Sequence, residues 1–360
     1  MTPASPAEAT HAADQTEPLA DQVRRASAER RALRIVGGDT KFFYGCKVVG
    51  EVLSLAGHSG VTDYAPSELV VTARAGTLLS DIEALLDDNG QMLAFEPPAM
   101  GGASTIGGVV AAGLSGPRRP FAGAVRDFVL GVTILDGRAR RLRFGGTVFK
   151  NVAGFDAFRL MAGALGSLGV ILDVSLRVTP KPRAESALCF EMGWSEAQGR
   201  IAALMRRPLP LSGAAHHQGR LHLRLSGPEA AVAATAAELG GEIDAPDFWS
   251  GVRRMTHPAL RPDAGLWRLS VPPLATLDLP GDLFIDWGGA QRWLSAGLPP
   301  GEVREAANAA GGHATVFYAP SPNGDVFAPM APPNLALHRR LKAAMDPQGI
   351  LNPGRLYPDL

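Results

Sequence analysis

A glycine-rich run is the feature of this sequence that most constrains its fold. Residues 101–116 read GGASTIGGVVAAGLSG, with six glycines in sixteen positions. Glycine inside a helix costs up to about 1 kcal/mol relative to alanine, so close packing of small residues explains the run poorly. Backbone N–H groups at a glycine-rich helix start can converge on an anion. The run therefore predicts a ligand that approaches this backbone closely.

A second loop has the features of a phosphate cradle. Residues 34–41 read RIVGGDTK, a predicted strand that ends in Gly37 and Gly38. Successive N–H groups could converge there on a phosphate, with a hydroxyl from Thr40 and a charge from Lys41. Taken alone, this segment is explained at least as well by an ordinary strand-to-loop turn.

A third glycine-containing stretch completes the pattern. Residues 149–156 read FKNVAGFD, and residues 163–171 read GALGSLGVI. Neither stretch is a GxGxxG motif, and the chain contains no such motif and no P-loop. Rossmann-type dinucleotide binding and P-loop chemistry are therefore disfavoured.

Composition excludes several other functions. The 35 basic and 35 acidic residues cancel, so no nucleic-acid partner is expected. The two cysteines, Cys46 and Cys189, lie far apart and cannot hold a four-cysteine iron–sulfur cluster. We expect reduced thiols and a cytoplasmic protein, because residues 1–17 lack a signal-peptide pattern. Residues 1–16 are predicted to be a disordered tail.

Periodicity and turn signals predict an α+β protein of two domains. Helices are predicted at 18–31, 77–89 and 158–165, among strands that include 129–135 and 169–178. Asp136-Gly137 predicts a two-residue hairpin turn. After the linker TPKP (179–182), strands alternate with alanine-rich helices, which predicts an antiparallel sheet with helices on one side. We place the domains at 17–181 and 182–360.

The three glycine-rich loops, in this order, resemble those of a known flavoprotein superfamily. Together with the ending DPQGILNPGR (346–355), they resemble the vanillyl-alcohol oxidase and p-cresol methylhydroxylase superfamily. The resemblance covers about residues 32–180 and implies a two-subdomain PCMH-type FAD-binding domain, followed by a C-terminal cap domain. Residues 149–171 and the segment GGHAT (311–315) are most similar to the FAD-binding subunits of bacterial glycolate oxidases.

The resemblance also implies which residues hold the FAD. The first loop would hold the pyrophosphate, the second would line the flavin and ribityl chain, and the third would form a wall and backbone contacts. Asn352 would return to the flavin ring. The positions that it assigns to the cofactor are Gly37, Gly38, Asp39, Thr40, Lys41, Pro97, Pro98, Thr105, Ile106, Gly107, Gly108, Gly113, Gly116, Gly123, Asp127, Asn151, Gly154, Phe155, Asp156, Gly169, Val170, Ile171 and Asn352. Covalent members often carry histidine where this chain has Asp39, so non-covalent binding is expected.

The substrate side is less constrained by the sequence. Oxidation of a 2-hydroxy acid needs a cation for the carboxylate and a base for the hydroxyl proton. His313 is the preferred base, because it precedes an apolar strand of the cap, and Arg268 is the preferred cation. The alternatives are His217 and His222 as the base, and Arg220 and Arg292 as the cation. No metal site is predicted, because the spacing of the histidines at 216, 217 and 222 matches no usual site and no carboxylate completes it.

The resemblance therefore implies an FAD subunit that oxidises glycolate to glyoxylate within a complex. Electrons would pass to a partner iron–sulfur subunit, beside a catalytic flavin subunit. The catalytic members carry histidine- and arginine-rich motifs that this chain lacks. A stand-alone FAD oxidoreductase of a hydroxy acid or alcohol, and a non-catalytic FAD-containing accessory subunit, therefore remain alternatives. Membrane association would be peripheral, at the inner face, through these partners.

Overall fold

The structure is a computed structural model that describes residues 13–147, 156–260, 265–319 and 326–360. Its helices are α1 (Thr16–Glu29), α2 (Leu79–Asp88), α3 (Ile106–Ala112), α4 (Arg119–Ala122), α5 (Val125–Phe128), α6 (Trp194–Leu204), α7 (Glu229–Leu239), α8 (Phe248–Arg254), α9 (Pro300–Ala309) and α10 (Pro332–Met345). Its strands are β1 (Leu33–Val36), β2 (Glu51–Ser54), β3 (Val61–Ala65), β4 (Val70–Arg74), β5 (Gln91–Met92), β6 (Val129–Leu135), β7 (Arg141–Gly145), β8 (Val170–Arg177), β9 (Thr179–Pro180), β10 (Ala184–Glu191), β11 (Leu211–His217), β12 (Arg220–Gly227), β13 (Glu242–Ile243), β14 (Leu266–Ser270), β15 (Leu283–Asp286), β16 (Gln291–Leu294) and β17 (His313–Tyr318).

The first half of the chain is organised around a five-stranded antiparallel sheet. Its strand order is β3-β4-β8-β6-β7, and a separate parallel pair, β1-β2, lies beside it. The central strands β6 and β8 are buried along nearly their whole length, as apolar runs of this kind predict. Helix α2 contributes Leu79, Ile82 and Leu86 to the same core, at helical spacing. We call this half the cofactor domain.

The second half forms an eight-stranded sheet in the order β13-β10-β12-β11-β15-β16-β14-β17. Its strand pairs are antiparallel, and helices α6, α7 and α9 pack on one face through Ile201, Val232 and Val303. The opposite face packs against Leu114 and Leu165 of the cofactor domain. We call this half the cap; the mixed α+β architecture with an antiparallel cap sheet is the one the sequence predicts.

The C-terminal segment returns from the cap to the cofactor domain. Ile350 and Leu351 are buried in the cofactor-domain core, where Leu351 bridges to β1. Lys342 anchors this return, because its Nζ donates to the Ser167 carbonyl, the Leu351 carbonyl and the Asp346 carboxylate at 2.7–2.8 Å. The return places Asn352 beside the first glycine-rich loop.

A buried ionic cluster joins the two domains. Glu96 of the cofactor domain accepts from Arg118 at 3.3 Å and from Arg224, on β12 of the cap, at 2.9 Å. All three side chains are buried. A second interdomain pair, Glu83 with Arg253 of α8, is about one-third exposed. The domains are thus joined by charge as well as by apolar packing.

Some local structure differs from the sequence-based prediction. Helix α1 begins at Thr16, and Ala13 pairs with Ser59, so residues 13–16 of the predicted tail have a defined structure. The segment predicted as a helix at 158–165 is instead a short 3₁₀ turn, Ala157–Met161.

The predicted two-residue hairpin turn is also wrong. Strand β6 ends at Leu135 and β7 begins at Arg141, which leaves a five-residue loop. The Asp136 carboxylate organises this loop, because it accepts from the Arg138 and Arg140 N–H groups at 2.8–2.9 Å. Gly137 N–H donates instead to the Met345 carbonyl of the C-terminal segment. The β6–β7 hairpin is therefore present, but its turn is longer than predicted and also contacts the C-terminal segment.

Within the described ranges, no helix is both long and apolar enough to cross a membrane.

Candidate functional site

The three glycine-rich segments meet around one cleft in the cofactor domain. The cleft encloses about 870 Å³, its open mouth included. Eleven of the positions predicted to bind the cofactor line it: Gly37, Gly38, Asp39, Thr40, Lys41, Thr105, Gly107, Gly108, Gly169, Ile171 and Asn352. Residues that are about 315 positions apart in the sequence thus face the same space.

The first loop needs glycine because another loop crosses it closely. A Cβ atom on Gly38 would overlap the Ala103 carbonyl oxygen, and one on Gly37 would overlap the Thr105 hydroxyl. Neither glycine has a positive φ, so the requirement here is space rather than backbone conformation. The close crossing holds backbone of two loops side by side at the cleft wall.

The start of α3 is fixed by a side-chain cap. Thr105 precedes the helix in an extended conformation, and its Oγ1 accepts from Gly108 N–H at 3.3 Å. Gly107 packs against Ala75 so closely that a side chain would overlap it. The glycines of the run 101–116 therefore allow close packing on one side of the segment and expose its backbone on the other.

The cleft carries an excess of positive charge. It is lined by Arg34, Lys41 and Arg355, and by Asp39, which pairs with Arg34 at 2.9 Å. Burial lowers the pKa of Lys41 to about 8. Among the described residues its ammonium has only hydroxyl partners, from Thr40 and Ser104, at 3.4–3.5 Å. A buried ammonium without a counter-ion is suited to an anionic ligand.

Asn352 ties the C-terminal return to two of the cleft loops. Its Nδ2 donates to the Leu165 carbonyl at 2.6 Å, and its Oδ1 accepts from Ile35 N–H at 2.8 Å. Asn352 has a φ of 41°, in the left-handed region that asparagine tolerates better than most residues. In this structure the side chain is a clamp between β1 and the third loop.

Several of the other predicted cofactor positions, within the described residues, lie outside this cleft. Ile106 and Val170 are buried in the cofactor-domain core. Gly113 ends α3 with a φ of 67°. Asp156 is exposed, one residue before the 3₁₀ turn. Asn151, Gly154 and Phe155 lie outside the described residues.

The remaining five predicted positions lie towards the cap. Gly123 and Asp127 line an open cleft between the cofactor domain and α6. Pro97 is buried, and its carbonyl accepts from Arg253 of the cap at 3.4 Å. Pro98 and Gly116 line a narrow cavity between the two domains. We call it the interdomain cavity.

The interdomain cavity brings Arg268 next to residues that the sequence reasoning missed. The cap side of the cavity is lined by Arg268, Asp286 and Gln291. Arg268 Nε donates to the Gln291 side-chain oxygen at 2.8 Å, and within the described chain Arg268 has no carboxylate at ion-pair distance. Asp286 is 1% exposed, and burial raises its pKa to about 7. The sequence signal for Asp286 is weak: an acid that ends a short strand before Trp-Gly-Gly.

His313 lies near Arg268 but is itself exposed. The two residues share one face of the sheet, since β17 pairs with β14 so that His313 lies opposite Ser270 and Thr315 lies opposite Arg268. Burial, and then the nearby Arg268 charge, lower the pKa of His313. A neutral imidazole can accept a proton, but His313 does not line the interdomain cavity.

The alternative substrate residues have other partners. His217 contacts Asp282 at 2.9 Å, and Arg220 pairs with Glu242 at 3.3 Å on the surface. Arg292 is fully buried, and its guanidinium donates to the Ala275 carbonyl at 2.6 Å. None of the three faces the interdomain cavity.

His222 does have a carboxylate partner, contrary to the sequence-based expectation. Its Nδ1 lies 2.8 Å from the Asp244 carboxylate, and Cys189 lies opposite it in the strand pair β10–β12. The ligand atoms of these three buried residues lie within 4.8 Å of one another, a set of donors that could hold a metal ion. The sequence could not show this group, because Asp244 reaches it only through the sheet edge.

The residues of the cofactor-domain cleft fit FAD. FAD needs backbone donors and cations for a diphosphate, and the cleft supplies the N–H groups of its glycine-rich loops beside Lys41 and Arg355. Side chains at positions 37 and 38 would overlap Thr105 and Ala103, so the two loops could not pack this closely. Apolar residues such as Val48, Leu55 and Ile171 provide surface for a flat ring system.

Comparisons with known proteins agree with this geometry. Residues 7–145 match the FAD binding domain family, and residues 329–356 match the family of FAD linked oxidases, C-terminal domain. The solved structure of an alkyldihydroxyacetonephosphate synthase shares the fold, with a TM-score of 0.65 and 15% identity, over 94% of this chain and 76% of that chain. The glycolate oxidase subunit GlcD of Bacillus subtilis is 28% identical over 40% of this chain and 30% of its own length.

A relative of higher identity matches over nearly the whole chain. The glycolate oxidase subunit GlcE of Escherichia coli is 46% identical over 349 residues, which is 96% of this chain and 99% of that protein. Identity at this level over both full lengths includes the cap as well as the cofactor domain. The chain therefore belongs to the family of FAD-linked oxidases represented by the glycolate oxidase subunit GlcE, and FAD is its cofactor.

Proposed function

We propose that this chain is the FAD-binding subunit of a glycolate oxidase-type complex. Such a complex would oxidise glycolate, or another small 2-hydroxy acid, to the 2-oxo acid. The observation that carries the proposal is the cationic, glycine-walled cleft, where eleven positions from four separate segments face one space. The similarity to GlcE over the full length supports the same assignment.

The chain's own residues would perform distinct tasks around the cofactor. Backbone N–H groups of the first loop and the Lys41 ammonium would hold the diphosphate, and Asn352 would fix the wall beside it. FAD, when bound, supplies the acceptor for the two electrons of the oxidation. Arg268 would pair with the substrate carboxylate, with His313 as the base predicted from sequence.

Electrons that reach this chain need a route out of it. The sequence has only Cys46 and Cys189, too few for an iron–sulfur cluster. We therefore propose an iron–sulfur partner subunit, beside a catalytic flavin subunit, as the route. Contact with a membrane would be through those partners.

The binding mode follows from the first loop. Asp39 occupies the position where covalent relatives are expected to carry histidine, and a carboxylate paired with Arg34 is a poor attachment site. We propose that FAD is bound non-covalently. After acid precipitation the flavin should be in the supernatant; a yellow pellet would contradict this binding mode.

Anaerobic mixing with glycolate tests the proposed activity. Purified protein should show a flavin absorption spectrum, and glycolate should bleach it either in the lone chain or only when partner subunits are present. Bleaching by the lone chain would favour a stand-alone oxidoreductase. Bleaching of the partners' flavin only, with this chain's flavin unchanged, would favour the accessory role. Purified protein without flavin would contradict the complex subunit, the stand-alone oxidoreductase and the accessory subunit alike.

A further inference from the structure

The face of the cap sheet that meets the cofactor domain carries buried polar side chains within an apolar cluster. Because side chains alternate along a strand, the inner face carries Phe284, Trp293 and Phe317, which pack with Leu114 of the cofactor domain. The same alternation places Asp286, Gln291 and Arg268 on this face, and all three line the interdomain cavity. A polar group in an apolar interface needs an explanation beyond packing.

Asp286 is not used by the fold in the way that buried carboxylates usually are. Its Oδ1 accepts from Trp287 N–H at 2.7 Å, and no cation in the described residues lies within ion-pair distance of it. The ionised groups that face it are Arg224 on β12 and Glu96 of the cofactor domain, which pair with each other, and Arg268 across the cavity. Its Oδ2 is left without a donor within the described chain.

The backbone next to Asp286 is strained. Trp287 has a φ of 54°, a conformation that bulky residues rarely adopt. Its indole N–H donates to the Gly116 carbonyl at 3.0 Å, which fixes the turn to the cofactor domain. The guanidinium groups of Arg119 and Arg268 lie 4.3 Å and 5.3 Å from the indole ring. Strain of this kind persists where surrounding contacts hold it, often at functional sites.

We propose that the interdomain cavity is the substrate chamber, in which Asp286 accepts the hydroxyl proton of a 2-hydroxy acid whose carboxylate pairs with Arg268. This inference rests on the proposed function. The O–H proton passes to Asp286 as the C=O bond forms, and the electron pair of the C–H bond passes with its hydrogen to the oxidant, the flavin. Gln291 holds the guanidinium in place, so that Arg268 and Asp286 face the same cavity.

The pKa of Asp286 supports the assignment. A base that works near neutral pH needs a pKa close to 7, and burial raises the pKa of Asp286 to about this value. Substrate oxidation should therefore increase with pH through about 7, as the carboxyl group ionises. His313 lies outside the cavity, which makes Asp286 the better-placed acceptor.

Two variants separate binding from proton transfer. In Arg268→Gln, the affinity for oxalate, a carboxylate probe without an oxidisable C–H bond, should fall at least about tenfold, because a charged hydrogen bond contributes about 1.5–3 kcal/mol. In Asp286→Asn, oxalate affinity should be unchanged or higher, while anaerobic flavin reduction by glycolate slows at least about 100-fold. The exposed Arg206→Gln and Asp278→Asn are the matched controls and should resemble the wild type.

Each result either supports or overturns the assignment. The wild-type pH profile should show the step near pH 7, and Asp286→Asn should lack it. Reduction within threefold of the wild type in Asp286→Asn, or unchanged oxalate affinity in Arg268→Gln, would overturn the proposal. If the wild-type complex is not reduced by glycolate, the proposed activity fails; the oxalate titration, on FAD-loaded protein, still decides whether the cavity binds carboxylates.

Folding of the variant can be checked independently. The folded state raises the pKa of Asp286 above its unfolded value, so its contribution to stability is complete below about pH 4 and is lost as pH rises to about 7. Asp286→Asn keeps an oxygen acceptor for Trp287 N–H. Because asparagine does not ionise, the variant does not lose stability as the pH rises. It should therefore unfold at a higher temperature than the wild type at pH 8, with a smaller difference at pH 5.

Discussion

The cofactor cleft and the interdomain cavity are built in different ways. The cleft is formed largely by the backbone of short continuous segments, with glycines where loops cross. The cavity is formed by single side chains from β14, β15 and β16, which the sheet brings together. A site made of backbone leaves a glycine pattern in the sequence, whereas a site made of side chains on separate strands leaves almost none.

The largest effect on folding and FAD binding should follow from placing a side chain where the first two glycine-rich loops pack together. In Gly38→Val, a side chain would overlap the Ala103 carbonyl, and the loops would have to separate. We expect the free energy of unfolding to fall by more than about 5 kcal/mol, or the bound FAD to be lost completely. Thermal unfolding and the flavin-to-protein absorbance ratio measure both.

The matched control lies in the glycine-rich run 101–116, next to the residue that Gly38 crosses. A Cβ atom on Gly102 would meet nothing within 4 Å, and its φ is not positive. Gly102→Val should keep both its flavin and its unfolding temperature. If the two variants behave alike, the cleft does not depend on close backbone approach.

The second effect concerns the charges that hold the cap over the cofactor domain. Glu96→Gln keeps the shape of the side chain but leaves the buried Arg118 and Arg224 without their shared carboxylate. Breaking a buried pair from one side costs about 3–5 kcal/mol. Urea denaturation, followed by fluorescence of the cap tryptophans, should show the loss.

The surface pair at the same interface is the control for Glu96. Glu83 also pairs with a cap arginine, but both side chains are about one-third exposed. Glu83→Gln should cost only about 0–1 kcal/mol. Equal losses in the two variants would mean that burial of the Glu96 cluster has no special role in joining the domains.

The sequence predicted the cofactor cleft better than the interdomain cavity. Helix α2 and the central strands β6 and β8 carry their own periodicity, so their positions follow from local patterns. The β6–β7 hairpin around Asp136-Gly137 also follows from a local signal, but the length of its turn does not, because the turn packs against Met345 and Asp346 of the distant C-terminal segment. Asp286 could not be predicted either: its burial and its proximity to Arg268 depend on how four strands align.

Lys41 tests whether any single side chain matters in a cleft made of backbone. Lys41→Met should weaken FAD binding about 10- to 100-fold, since one charge-assisted contact contributes about 1.5–3 kcal/mol. The pKa of Lys41 is about 8 in the folded chain, and a bound diphosphate should raise it. Wild-type affinity should therefore be constant below pH 8 and fall above it, and Lys41→Met should lack this fall.

Lys47 provides the comparison for Lys41. Lys47 is exposed and does not line the cleft, so Lys47→Met should bind FAD like the wild type at every pH. Equilibrium dialysis of FAD between pH 6 and pH 10 is the measurement. A loss in Lys41→Met as complete as that in Gly38→Val would show that the cleft depends on charge more than on its backbone.

The smallest effect is expected at Asp39, where the cleft carries its only acidic side chain among the described lining residues. Asp39→Asn removes a negative charge near the expected diphosphate and frees Arg34 from its ion pair. Asparagine also tolerates the φ of 51° at this position, so the loop should keep its conformation.

FAD affinity should rise about two- to fivefold in Asp39→Asn, the size of a partly exposed ion pair, and more at low salt than at high salt. Asp63→Asn, on β3 outside the cleft, should leave the affinity unchanged. Weaker binding in Asp39→Asn would instead mean that the Arg34–Asp39 pair shapes the first loop, and that the cleft depends on side chains more than its glycines indicate.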